Sequence, residues 1–297
     1  MCYSKSKVFL AIFMSIVMIL SSTAFAGTKQ EITYTALGDS IAYGTGATDF
    51  IGYTDLLSEH LTRKFREVTY INLAEDGEKS EDLLMDLIFS TDLQNDVAAS
   101  DVITISIGGN DLLGPFLDAF KELIAQNYMI DEFTVNYLKL FSDLAEWEMD
   151  PTTHPQFNGM LQVLSENMDN YISDFATNWG QIIFLIRTLN SEADIYVNTV
   201  FNPLKFSPSL YEYVDPAIQG LNWAIYSLAD SSNYDFDYKV VDVYSNFKEY
   251  ENPNKLIVGD LSSLASYFEQ NYSAPVSLHP TDLGYKFILN MHKDLMD

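Results

Sequence analysis

Short segments rich in Val and Ile alternate along this chain with segments of helical periodicity, and this alternation restricts the possible folds most strongly. The strand candidates are residues 32–37, 68–73, 101–107, 195–200 and 239–243. Short strands of this composition, separated by helices, are typical of a parallel sheet whose two faces are both covered. We therefore predict a parallel sheet packed between two layers of helices.

Over 80 residues separate the third and fourth strand candidates, and this segment has no strand pattern. Residues 161–189 carry one apolar stripe with a period of 3.6 residues, which predicts a long amphipathic helix. Two shorter helices are predicted before it, at about 115–128 and 131–147. The chain has no internal repeat and no linker. We therefore expect one domain over residues 27–297, with a helical insertion at about 115–190.

The first residues have the order of a secretory signal peptide. Lys5 and Lys7 precede an apolar run from Val8 to Leu20, and Ala24-Phe25-Ala26 follows it. The run is too short for a comfortable membrane span, and no later segment is long and apolar enough for one. We expect residues 1–26 to be removed and the product to be secreted, without a stable membrane span. An uncleaved N-terminal anchor is the alternative.

Charge and cysteine content exclude several classes of function. The chain has 16 Lys and Arg against 42 Asp and Glu, a formal net charge of −26. Such a surface repels phosphate backbones, so nucleic acid is not an expected partner. The single cysteine is Cys2, which excludes an intrachain disulfide and a thiolate metal cluster. With 47% hydrophobic residues the chain can build a core, which argues against disorder.

Polar residues after the strands are the first candidates for a site, because ligands bind at the carboxyl ends of the strands in an open parallel sheet. Gly38-Asp39-Ser40 follows the first strand, and a loop around Gly77 follows the second. Gly108-Gly109-Asn110-Asp111 follows the third, and His279-Pro280-Thr281-Asp282 stands late in the chain. These four blocks, in this order, resemble the SGNH, or GDSL, family of serine esterases and lipases.

The resemblance implies a flavodoxin-like three-layer α/β/α sandwich with a five-stranded parallel sheet. It also implies carboxylic-ester hydrolysis without a metal or an organic cofactor. Ser40 matches the family's nucleophile and His279 its base. The oxyanion hole would consist of the backbone N–H groups of Ser40 and Gly77 and the side-chain amide of Asn110. Taken alone, Gly77 and Asn110 are ordinary turn residues. The expected substrate is a small ester or lipid, such as a lysophospholipid, an acylglycerol or an acetylated sugar.

The residues themselves fit these roles. A serine hydroxyl is a poor nucleophile until a base takes its proton. Ser40 sits at a tight turn flanked by glycines, where a purely structural serine would be a helix N-cap. Of the four histidines, His60 and His292 lie within predicted helices beside charged residues, which predicts solvent-facing side chains. His154 lies between two helices of the insertion, the wrong place in the chain order. His279 stands just before the last predicted helix, where a base would be expected.

One position departs from the family's pattern: Val276 stands where the family has an aspartate, three residues before His279. Such an acid fixes the imidazole tautomer and stabilises its charged form. A backbone carbonyl near Val276 or Ser277 is the replacement we favour, because main-chain acceptors are always available in that loop. Asp282 or Asp260 is a second candidate. The third alternative is a protein without activity that binds lipid or carbohydrate in the same cleft.

Two further hypotheses concern the surroundings of the site. Asp39 and Asp111 are predicted to brace their loops by hydrogen bonds and to take no part in the chemistry. The insertion is rich in Phe, Leu, Met and Tyr, which suggests that it walls an acyl pocket, although such a stripe is more often ordinary core. If it does wall a pocket, trimming Phe116 or Phe120 should shift the preference for acyl length.

Overall fold

The computed structural model describes residues 31–131, 134–205, 207–229, 236–252, 255–257 and 278–297. The predicted signal peptide, residues 1–26, lies outside these ranges, as do Val276 and Ser277. Within them, no helix has both the length and the apolar character that crossing a membrane requires.

The main sheet has five parallel strands in the order β2-β1-β3-β6-β7. Apart from it, β4 and β5 form a small antiparallel hairpin. The strands are β1 (Glu31–Gly38), β2 (Glu67–Asn72), β3 (Val102–Ser106), β4 (Met129–Asp131), β5 (Thr134–Val135), β6 (Asp194–Asn198) and β7 (Lys239–Val241). Counted along the main sheet this order is 2-1-3-4-5, the flavodoxin-like arrangement. The predicted five-stranded parallel sheet is confirmed.

Ten α-helices and one short 3₁₀ helix, Thr48–Phe50, occur in the described ranges. The helices are α1 (Ser40–Tyr43), α2 (Tyr53–Leu61), α3 (Ser80–Phe89), α4 (Thr91–Ala99), α5 (Gly109–Asn127), α6 (Tyr137–Met149), α7 (Pro155–Leu189), α8 (Pro208–Ala229), α9 (Val243–Glu249) and α10 (Asp282–Met296).

Helices cover both faces of the sheet, which gives the three-layer sandwich. On one face Leu37 of β1 shares a buried cluster with apolar residues of α3, α4, α7 and α8, including Trp179. On the other face Tyr34 of β1 packs with Leu57 of α2 and Leu289 of α10. Side chains of β1 thus enter different cores on the two faces of the sheet, which explains why neither face of the strand is exposed to solvent beyond its first residues.

The helical segment between β3 and β6 contributes to two apolar clusters. The second half of α7 packs on the sheet through Trp179 and Ile183. Its first half joins α5 and α6 in a separate apolar cluster that contains Phe116, Trp147 and Phe157. Helix α7 therefore both returns the chain to the sheet and supports a second core beside it.

The structure differs from the predicted helices at several points. Helix α5 begins at Gly109, earlier than predicted, and α6 begins only at Tyr137, after the β4–β5 hairpin. The Asn136 side chain accepts a hydrogen bond from the Lys139 N–H and thereby caps α6. Helices α4, α8 and α9 were not predicted. In α8, Pro216 lies within the helix and obscures its periodic pattern.

The prediction that His292 faces solvent is wrong. His292 is fully buried, because it lies one turn after Ile288 on the apolar face of α10. Its ring stacks on Tyr53 with centroids 5.0 Å apart, and Nε2 lies 2.8 Å from Oδ1 of Asn198. Burial lowers the pKa of His292 to about 3, so the ring is neutral.

Substitution of two glycines should change stability in opposite directions. In Gly38→Ala the new methyl carbon would lie 1.9 Å from the Ser106 carbonyl oxygen, at a φ of +119°. We expect the free energy of unfolding to fall by about 3 kcal/mol or more. Gly159 lies in α7 with no atom within 4 Å of an added carbon. Gly159→Ala should raise the free energy of unfolding by about 0.5–1 kcal/mol.

Urea denaturation of both variants beside the wild-type protein measures this difference. Equal stability of the wild-type protein and Gly38→Ala would contradict the close approach of β1 and β3.

Candidate active site

The site lies where β1 and β3 end side by side. Beyond β1 the order of the sheet reverses, so the loops after β1 and β3 diverge and leave a crevice. At their ends Gly38 pairs with Ser106, and the Asp39 N–H donates to the Ser106 carbonyl over 2.8 Å. The left-handed φ of Gly38, +119°, allows this close approach.

Ser40 is the first residue of α1, a helix of a single turn. The Asp39 carboxylate caps this helix by accepting the Ile41 N–H at 3.0 Å. Gly44, with φ of +99°, ends the helix and donates its N–H to the Ser40 carbonyl. Both ends of the turn are therefore fixed, and the largely buried Ser40 side chain lines the crevice.

His279 lies beside Ser40 although the two are 239 positions apart in the chain: its Nε2 is 2.8 Å from the Ser40 Oγ. The loop after α1 passes directly against the histidine, because a carbon added at Gly46 would lie 2.7 Å from the His279 Cβ. Helix α10 begins three residues later. It is tied to the same loop by the Tyr285 hydroxyl, which donates to the Thr45 carbonyl over 2.6 Å.

The predicted role of Asp282 as an orienting group for His279 stays a prediction. Its two carboxylate oxygens accept hydrogen bonds from the N–H and the hydroxyl of Thr48, at 2.8 and 2.9 Å. The carboxylate therefore anchors the 3₁₀ helix to α10. Val276, Ser277 and Asp260 lie outside the described residues.

The loops after β2 and β3 are joined to each other and to the loop after α1. The Thr45 hydroxyl donates to Asp76 over 2.8 Å, beside Gly77 with its left-handed φ of +87°. The Asn110 amide donates to the Glu78 carbonyl over 2.9 Å. These bonds bring Ser40, His279, Gly77 and Asn110 to one cavity, which all four residues line.

Asp39 and Asp111 both brace loops, as predicted. Asp39 caps α1, and Asp111 accepts hydrogen bonds from the N–H and the hydroxyl of Ser80. Burial, reinforced by the charges of Asp111 and Asp76, raises the pKa of Asp39 to about 7. Burial also raises the pKa of Asp111.

Glu78 and Asn198 adjoin the site but were not predicted. Glu78 is buried, its Oε2 has no hydrogen-bond partner among the described residues, and burial with the charge of Asp39 raises its pKa to about 9. No sequence pattern indicates that Glu78 is buried. Asn198 ends β6 and lines the cavity, so the rule of inspecting polar residues at strand ends identifies it.

The cavity holds about 700 Å³ and extends from Ser40 beneath the helical segment. Beneath that segment its lining is mostly apolar and comes from α5, α7, α8 and the loop after β6. Representative lining residues are Phe116, Leu164, Tyr171, Leu204 and Ile218. Phe120 stacks behind Phe116, with ring centroids 6.1 Å apart, and belongs to the adjoining core.

The sequence and the fold correspond to a known class of enzymes. Residues 36–287 match the model of the GDSL-like lipase/acylhydrolase family, so the chain belongs to this family and is an ester hydrolase. In sequence it is similar to the uncharacterized protein YpmR of Bacillus subtilis (strain 168). The two are 25% identical over 205 residues, which cover 67% of this chain and 79% of YpmR.

Solved structures share the fold. The lipase Lip_vut3 from a goat rumen metagenome has a TM-score of 0.56 and 23% identity, covering 89% of this chain and 96% of its own. Phospholipase A1 from Streptomyces albidoflavus NA297 has a TM-score of 0.56 and 16% identity, with coverages of 89% and 98%. The extracellular lipase from Streptomyces rimosus has a TM-score of 0.55 and 18% identity, with coverages of 87% and 98%.

The buried acids beside the site make stability depend on pH. An acid whose pKa is raised by folding stabilises the folded state below its unfolded pKa, and this contribution is lost as pH rises towards the folded pKa. The folded pKa values are about 7 for Asp39 and about 9 for Glu78. We therefore expect the free energy of unfolding to fall between about pH 5 and about pH 9.

Glu78→Gln removes one of these acids and should make the fall shallower, as measured by urea denaturation at each pH. Glu81→Gln, at an exposed position of the same loop–helix region, is the matched control and should keep the wild-type slope. An unchanged slope in Glu78→Gln would show that Glu78 is not a buried neutral acid.

Proposed function

We propose that the chain is a secreted carboxylic-ester hydrolase in which Ser40 and His279 form an acyl-enzyme. The observation that carries the proposal is the 2.8 Å separation of the Ser40 Oγ and the His279 Nε2 inside an apolar cavity. A hydroxyl at this distance from an imidazole nitrogen can transfer its proton as it attacks. The signal-peptide pattern of residues 1–26 supports secretion.

In the first half of the reaction the Ser40 oxygen attacks the carbonyl carbon of the ester, and its proton passes to Nε2 of His279. The tetrahedral intermediate then breaks its bond to the alcohol oxygen, which takes the proton from the imidazolium. This leaves the acyl group on Ser40. In the second half His279 takes a proton from water, the hydroxide attacks the acyl carbon, and Ser40 recovers its proton as the acid leaves.

The oxyanion of each tetrahedral intermediate would accept hydrogen bonds from the backbone N–H groups of Ser40 and Gly77 and from the Asn110 amide. The Asn110 Nδ2 carries two hydrogens and gives one to the Glu78 carbonyl, so the other is available to the oxyanion. The same bond fixes the amide before substrate arrives, which is the condition for effective electrostatic stabilisation.

The imidazole must present an unprotonated Nε2 to Ser40, so its proton belongs on Nδ1. In this proposal a backbone carbonyl near Val276 or Ser277 accepts that Nδ1 proton in place of the family's aspartate. A neutral acceptor still fixes the tautomer, but it stabilises the imidazolium less than a carboxylate does.

The cavity favours a lipid-like acyl group. Its inner lining is buried and apolar, so an acyl chain bound there leaves water, at a gain of about 0.8 kcal/mol for each buried CH₂. An acetyl group would leave most of the roughly 700 Å³ unused. Lysophospholipids and monoacylglycerols therefore fit better than acetylated sugars.

Removal of the proposed nucleophile or base should abolish hydrolysis of p-nitrophenyl butyrate. We expect Ser40→Ala and His279→Ala each to lower kcat/KM by about 10³-fold or more. Asn110→Ala should lower kcat by about 10²–10³-fold. A fluorophosphonate should label the wild-type protein and fail to label Ser40→Ala, because only an activated serine reacts quickly.

His154→Ala is the matched histidine control, since His154 contacts Glu146 and does not line the cavity. It should keep the wild-type rate. Equal rates in the wild-type protein, Ser40→Ala and His279→Ala would rule out the mechanism. Absence of labelling together with absence of hydrolysis would favour a lipid- or carbohydrate-binding protein.

Filling the cavity should shorten the acceptable acyl chain. The wild-type kcat/KM for p-nitrophenyl esters should rise from acetate to laurate as more of the chain is buried. Leu164 on α7 lines the cavity, so Leu164→Trp should lower kcat/KM for laurate by about tenfold or more while acetate hydrolysis persists.

The neighbouring residue provides the control: Val163 is 58% exposed and does not line the cavity, so Val163→Trp should keep the wild-type profile. A flat dependence on acyl length in the wild-type protein would exclude the cavity as the acyl site.

A further inference from the structure

The described lining of the cavity divides into a sheltered inner part and an exposed outer part. Only Tyr43, Phe50, Glu75, Asp76 and Gly77 are exposed among these lining residues. We name these five residues the rim. They all come from the segments that follow β1 and β2, and they carry two aromatic rings and two carboxyl groups. The inner part accounts for the acyl chain, whereas the mechanism above does not use the side chains of the rim.

The two aromatic rings of the rim lie against each other on a strained backbone. Phe50 is 59% exposed and Tyr43 44% exposed, and their rings meet edge to face with centroids 5.9 Å apart. Phe50 has a φ of +59°, in the left-handed region that a bulky residue rarely adopts. The bonds from Thr48 to Asp282 fix the base of this turn. Because these rings are solvent-exposed and the backbone is strained, we take them to form a binding surface.

The charge of the rim is entirely negative. Its carboxyl groups are those of Glu75 and Asp76, and no Lys or Arg lines the cavity among the described residues. Hydrogen bonds fix the backbone of Glu75 and the carboxylate of Asp76, since the Glu75 N–H donates to the Gly38 carbonyl and Asp76 accepts from the Thr45 hydroxyl. Aromatic faces beside carboxylates attract a weakly hydrated cation, and the carboxylates repel an anion.

We propose that the rim is the subsite for the alcohol part of the ester, and that it selects an alcohol bearing a quaternary ammonium group. This inference rests on the proposed function and extends it. Tyr43 ends the single helical turn that Ser40 begins, so this rim residue is within one turn of the proposed nucleophile, and the other four rim residues line the same cavity. An ester whose acyl chain fills the inner part therefore directs its alcohol towards the rim.

Three esters with the same acyl chain test this subsite: decanoylcholine, which is cationic, monodecanoylglycerol, which is neutral, and decanoylglycerol phosphate, which is anionic. Each is assayed below its micelle threshold at low salt. We expect kcat/KM to be about tenfold higher for the choline ester than for the glycerol ester, and lowest for the phosphate ester. Salt at about 1 M should reduce the differences in kcat/KM among the three esters, because it screens the carboxylates.

Two rim variants test the contributions of the carboxylate and of the aromatic ring separately. Glu75→Gln and Phe50→Leu should each lower the choline-to-glycerol ratio of kcat/KM by about threefold or more. Their matched controls are Glu192→Gln and Phe184→Leu. Glu192 lies in the loop before β6, at the amino ends of the strands and so opposite the site, and Phe184 is 58% exposed near the end of α7. Both controls should keep the wild-type ratio.

The outcomes distinguish the subsite from the reaction. If the wild-type protein hydrolyses none of the three esters, the proposed function fails. If it hydrolyses them through Ser40 without preferring the choline ester, or if the ratio is unchanged in both rim variants, the cationic subsite is wrong and the hydrolase remains.

Discussion

The close approach of the ends of β1 and β3 is the constraint on which the site depends. Gly38 lies so near the Ser106 carbonyl that even a methyl group would collide with it, and the next residue donates its N–H to that same carbonyl. From this point the chain must turn away at once, and Asp39 directs it into the short helix that presents Ser40. The position of Ser40, the proposed nucleophile, thus follows from backbone geometry, and the surrounding hydrogen bonds then hold the other groups of the candidate site near it.

Much of the fold could be predicted because the cores on the two faces of the sheet require a simple pattern of apolar residues in the strands and helices. Strands such as β3 are buried over nearly their whole length and rich in Val and Ile, and α7 keeps one apolar stripe over many turns. The missed helix α8 contains Pro216, a residue that disfavours helix interiors, and its helical state depends on packing against α7 and the sheet. The buried position of His292 depends likewise on a neighbour, Tyr53, that is distant in sequence.

The candidate site could likewise be predicted only in part. Ser40, Gly77, Asn110 and His279 stand in short motifs, so their positions along the chain indicated that they would meet. The rim could not be predicted, because the exposure of Phe50 follows from two successive residues with positive φ, which no local motif encodes. The burial of Glu78 follows from loop packing. Both features arise where loops from different strands meet, and sequence patterns describe such encounters poorly.

Helix α10 holds His279, the proposed base, beside Ser40. The imidazole comes 239 positions after the hydroxyl that it contacts in the first strand–helix turn. Because the Tyr285 hydroxyl ties α10 to the loop after α1, the docking of this helix sets the distance between the two side chains. A helix that came away from this loop would leave the five strands of the sheet paired and yet separate the proposed base from the proposed nucleophile.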